Sequence, residues 1–101
     1  MTSAKRGRKP GPKTPAKRVD TSALRARLIE ASTLRSQVAR ETLADSVCAL
    51  VATQARLLRA TADGTITQDE TRVVPSVASG ILRHCSALGV TAPAEEELEA
   101  L

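Results

Sequence analysis

Apolar residues recur along the middle of this chain at steps of three and four. Leu24, Leu28, Ala31, Leu34 and Val38 form one such series, and Leu43, Val47, Leu50, Val51, Leu57 and Leu58 continue it. The positions between are mostly Arg, Glu, Ser, Thr and Gln. This is the period of an amphipathic helix, in which one stripe faces a core and the rest faces water. Asp20, Thr21 and Ser22 offer N-caps for the start. No Gly or Pro interrupts residues 21–62. The pattern fits one helix of about 40 residues or two, and two nearly continuous helices with a break near Ser36–Thr42 are the preferred reading.

A turn is expected over Ala62–Thr67. Gly64 can take the left-handed conformation that closes a helix. Thr67 suits the next N-cap, with Glu70 three residues on to complete a capping box. A further helix then carries Val74, Val77, Ile81, Cys85 and Leu88 on one face. Pro75 must begin that helix or kink it, because it has no N–H to donate to Thr71. Gly80 weakens the helix or admits a close neighbour. Leu88-Gly89 is the stop, and Glu95, Glu96, Glu97, Glu99, Leu98 and Leu101 make an acidic tail with a short helical turn. A short loop makes the two flanking helices antiparallel neighbours. The expected fold is all-α, a small helical hairpin or bundle. Residues 20–90 form its domain, 91–101 an acidic C-terminal tail, and 1–19 a basic N-terminal arm.

Composition sharpens this picture at two points. The 101 residues contain no Phe, Trp or Tyr. The core must therefore be built of Leu, Val, Ile and Ala, and a thin core in a domain of this size favours completion by self-assembly. Charge is also unevenly placed. Lys5, Arg6, Arg8, Lys9, Lys13, Lys17 and Arg18 give the first 18 residues +7 with no acid, while eight Arg against eleven Asp and Glu leave the remainder at −3. With prolines at 10, 12 and 15, like charges and almost nothing apolar to bury, the arm is expected to be disordered or polyproline-like. A concentrated cationic segment predicts an anionic polymer or surface as partner.

The sharpest motif is Lys5-Arg6-Gly7-Arg8-Lys9-Pro10-Gly11-Pro12. It resembles the AT-hook, centred on Arg-Gly-Arg-Pro, except that Lys9 stands where the Pro follows directly. The resemblance implies that Arg6, Gly7 and Arg8 lie in the narrow minor groove of A·T-rich duplex, where negative potential concentrates and attracts Arg. Lys5, Lys9, Lys13, Lys17 and Arg18 would hold phosphates. Single-stranded nucleic acid is less favoured, since no aromatic ring is present for bases to stack on. A helix-turn-helix spacing is not clear in residues 23–60, so major-groove reading has no support in the sequence.

A second resemblance spans residues 5–12 and 75–98. The order is a basic Gly-Arg-Lys-Pro start, an Ala/Arg-rich helical pair, then Pro75, Leu82 and Leu88-Gly89-Val90-Thr91-Ala92-Pro93 before a short acidic helix. It is similar to small terminase subunits of tailed phages. That likeness implies a ring-forming DNA-recognition factor that presents viral DNA to a packaging ATPase, in the host cytoplasm. Two other classes fit the same residues: an architectural or regulatory protein with its arm in A·T-rich minor grooves, and a helical protein-interaction module whose arm serves solubility.

Other signals carry less. Residues 59–70 imitate half an EF-hand loop, but Arg59 and Thr61 occupy ligand positions, which speaks against calcium. His84 and Cys85 are adjacent and point about 100° apart on a helix, so no metal site is expected. No serine or threonine has a base placed beside it and no Gly-rich loop could cradle a phosphate, so a non-enzyme without cofactors is predicted. Cys48 and Cys85 read as buried free thiols of a reducing compartment. No stretch is long and apolar enough for a membrane span or signal peptide, which predicts a cytoplasmic protein.

Overall fold

The computed structural model describes residues 19–101, and among these the chain is helical, without strands. Four helices follow in order: α1 Ser22–Ala31, α2 Gln37–Asp63, α3 Gln68–Leu88 and α4 Glu95–Glu99. Helices α2 and α3 form the hairpin, and α1 and α4 lie against α2.

Each helix end has a local cause. Before α1, the Asp20 carboxylate accepts the Ser22 N–H at 3.0 Å. Ser32 leaves the helix with ψ 142°. Its hydroxyl accepts the Leu34 N–H at 3.1 Å and donates to the Leu88 carbonyl at 2.8 Å. The Thr33 N–H reaches that same carbonyl at 3.1 Å, and Arg40 Nε donates to the Leu34 carbonyl at 2.6 Å. The link over 32–36 is thus stitched across the end of α3, so the first two helices separate there rather than across the later stretch to Thr42. Ser36 makes the choice, because its hydroxyl caps α2 by accepting the Ala39 N–H at 3.2 Å.

Helix α2 ends at Gly64, with φ 73°, whose N–H turns back to the Thr61 carbonyl. The Thr67–Glu70 capping box forms as expected, with bonds of 2.8 and 3.1 Å. Pro75 lies inside α3. It sits on the exposed face, where water can take the Thr71 carbonyl that it leaves without a donor. Gly80 lets a side chain rather than a backbone approach: an added Cβ would stand 3.0 Å from Leu50 Cδ1.

The core follows the helical stripes closely. Leu24, Leu28, Val47, Val51, Leu57, Val77, Ile81, Cys85 and Leu88 are buried, together with Ala44, Cys48 and Ala55. No buried residue is polar or charged among those described. Two members of the first apolar series are not core: Val38 is 73% exposed and Ala31 is exposed. The break at 32–36 resets the helical phase, so Val38 in the first turn of α2 falls on the outer face. Nor is the 91–101 segment a free tail. Leu98 is buried in the same core, and Val90, Ala92 and Leu101 pack against it. Glu97 accepts the Ala94 N–H at 3.0 Å and so turns α4 into its groove.

Two glycines give a paired prediction. Gly64→Ala has open space and should cost only the left-handed conformation, about 1 kcal/mol. At Gly89, φ 80°, a new Cβ would lie 2.1 Å from Thr33 Oγ1 and 3.2 Å from its Cβ. Gly89→Ala should therefore force the 32–36 link off α3 and cost about 2–4 kcal/mol. Urea denaturation of the two variants checks the order, and equal losses would contradict the packing of that link.

Candidate nucleic-acid interface

The residues that sequence reading assigns to DNA contact, Lys5, Arg6, Gly7, Arg8, Lys9, Lys13, Lys17 and Arg18, all lie outside the described residues. What the structure positions is the root of the arm and the charge of the body that it is joined to. Val19 and Asp20 lead into α1. The root is held against α2, since the Cys48 thiol contacts the Thr21 carbonyl at 3.8 Å. Arg25 Nε donates to Asp45 at 2.6 Å one turn further on. The Ser22 N–H keeps the Asp20 carboxyl below its usual range. Asp20 and Asp45 thus stand at the root, and Arg25 bonds directly to Asp45.

The eight arginines of the body are mostly engaged with the protein itself. Arg27 pairs with Glu97 at 2.6 Å, and hydrogen bonds from Ala94 and Arg27 hold that carboxyl below its usual range. Arg40 is turned into the 32–36 link. Arg59 donates to the Leu101 carbonyl, and Arg56 reaches the Thr53 hydroxyl at 3.4 Å. Arg72 stands 3.8 Å from Asp69, both well exposed. Among the described residues only Arg35 and Arg83 make neither an ion pair nor a side-chain hydrogen bond. Arg56 and Arg72 find their partners three residues back on their own helices, whereas Arg25, Arg27 and Arg59 bond to distant segments that the sequence alone does not reveal.

His84 Nδ1 lies 2.7 Å from the Gly80 carbonyl of its own helix. No group of three His, Cys, Asp or Glu is placed to hold a metal ion among the described residues. The resemblance of residues 59–70 to an EF-hand resolves into the Gly64 turn and the α3 cap. Cys48 and Cys85 are buried free thiols, as the sequence predicts. Burial pushes both up from the ordinary thiol value. A thiol raised in the folded state favours folding fully below the unfolded pKa of about 8.5, and that contribution is lost as pH climbs through the raised value. Both should resist a thiol reagent at pH 7 and react once urea unfolds the chain. Rapid labelling of the folded protein would contradict their burial.

No described helix is long and apolar enough to cross a membrane. No family model, curated protein or solved structure matches this chain.

Proposed function

We propose that this protein is a non-enzymatic binder of double-stranded DNA, holding the duplex through residues 1–18 while the helical body assembles with further copies of itself. The partition of charge carries the reading: +7 in the first 18 residues against −3 in the rest. All four lysines of the chain lie in that segment. The body has carboxylates at the root of the arm and few uncommitted arginines, so phosphate is repelled from it and drawn to the arm.

Within this class, the favoured role is that of a small terminase subunit recognising phage DNA for a packaging ATPase. Its support is the likeness of residues 5–12 and 75–98. The second reading, an AT-hook-like architectural or regulatory protein, is favoured by Arg6-Gly7-Arg8 alone. Duplex binding by the full chain, compared with a chain lacking residues 1–18, tests the shared claim. Undiminished affinity without those residues would remove it. A preference for A·T over G·C duplex that vanishes on Gly7→Val would favour the second reading.

A further inference from the structure

Three large aliphatic residues stand out on the described surface, and one of them, Leu82, lines a cleft beside the C-terminal segment. Leu82 on α3 is 61% exposed, beside Val73 at 45% and Val38 at 73%. Two shallow clefts flank the C-terminal segment. One, of about 190 Å³, separates it from α1 between Ala23, Leu24 and Arg27 on one side and Leu98 and Leu101 on the other. The second, of about 240 Å³, separates it from α3 between Ala78, Ile81 and Leu82 and the Pro93–Leu98 stretch. Pro93 and Leu98 line both clefts, so the apolar surface is continuous across the segment. Val38 and Val73 touch neither. The second cleft also holds the carboxamide of Gln54, whose Oε1 is buried without a hydrogen-bond partner.

The rim says what kind of surface covers this patch. Arg83, next to Leu82, has no ion pair among the described residues, and neither do Glu95 at the lip of the second cleft nor Glu96 beside it. An apolar centre with a free cation on the α3 side and free carboxylates on the α4 side is complementary to itself when turned about a two-fold axis. Glutamates at the rim oppose a nucleic acid or an anionic membrane. We infer that this patch is the contact between two copies of the chain: Leu82 of each enters the cleft of the other, and Arg83 of each faces Glu95 and Glu96 across the axis. The inference rests on the self-assembly proposed above, and, being two-fold, the contact closes at two copies: it gives a dimer its surface, and a ring would need a second, head-to-tail contact besides.

The test uses full-length chain and native mass measured over a concentration series, with circular dichroism confirming helix. The parent is expected to associate at micromolar concentration. Leu82→Asp should weaken association by at least about tenfold, since it places a charge at the centre of the contact. Val73→Asp, on an exposed aliphatic away from the clefts, should leave association unchanged. Arg83→Glu should weaken it several-fold. Three results would overturn the inference: a Leu82→Asp chain that associates like the parent, equal losses from Leu82→Asp and Val73→Asp, or an Arg83→Glu chain that associates undiminished. A parent that stays monomeric would sink both the inference and the self-assembly on which it rests. Association that survives Leu82→Asp would sink the inference alone, and in either case duplex binding by the arm remains separately measurable.

Discussion

Duplex affinity of the full chain should fall steeply with salt, with a slope of log affinity against log salt between about −3 and −5. The number follows from the arm. Seven cations neutralising seven phosphates would give about −6, since each phosphate neutralised on B-form duplex releases close to one condensed counterion. Not every side chain engages at once, which brings the slope down. Replacing Lys5, Arg6, Arg8 and Lys9 by Glu reverses four of the seven charges. Non-specific binding should then fall by about two orders of magnitude or more, and the slope should collapse toward zero. The same four replacements on a body arginine set, Arg35, Arg56, Arg72 and Arg83, should do much less, because those side chains sit on a body of net negative charge. A body-set variant that loses as much affinity as the arm-set variant would move the interface onto the helices. The A·T preference described above then reads a finer property. A slope without any base preference means phosphate contact along the backbone; a slope with A·T preference means that Arg6 and Arg8 enter the groove.

Much of the helical frame is legible in the sequence, and the reasons are local. The stop at Gly64, the Thr67–Glu70 cap and the stop at Gly89 each depend on residues within one turn of one another, and all three form. Burial of Val77, Ile81, Cys85 and Leu88 follows from spacing on one uninterrupted helix. The sequence is silent where a distant partner decides. The break between the first helices sits at 32–36 because Ser32 and Thr33 bond to Leu88, more than fifty residues away, which no period could reveal. For the same reason the apolar period includes Val38, although the fold turns it outward. Leu98 reads in the sequence as part of a helical turn, yet its burial depends on packing against α2 and the shared core, which the segment's own residues do not reveal. The interface divides in the same way. Clustering of charge in residues 1–18 is plain in the sequence, whereas the self-pairing of body arginines and the continuity of the two clefts around Pro93 and Leu98 exist only in the fold.

Two leucines that look alike in the sequence should separate by several kcal/mol. Leu88 is fully buried at the end of α3, where its carbonyl also receives the Ser32 hydroxyl and the Thr33 N–H. Truncation to Ala removes buried methyl groups and leaves a void, at a cost of about 2–5 kcal/mol. Whether that is survivable depends on the size of the whole. A domain of about 80 residues holds only about 4–12 kcal/mol of stability. This core has no aromatic ring to slide into the space. Leu88→Ala should therefore remove a large share of the total and lower the melting temperature by about 10–25 °C. Leu82→Ala, on an exposed side chain, should change the unfolding free energy of the isolated copy by no more than about 0.5 kcal/mol. Thermal melts at low micromolar and at high concentration distinguish the two roles. The deficit of Leu88→Ala should persist at every concentration, because its side chain packs within one copy. That of Leu82→Ala should appear only where the parent is associated, because mass action adds the energy of the contact to the parent's apparent stability. Equal, concentration-independent deficits would mean that Leu82 belongs to the core and that the surface assigned to the second copy is not a surface at all.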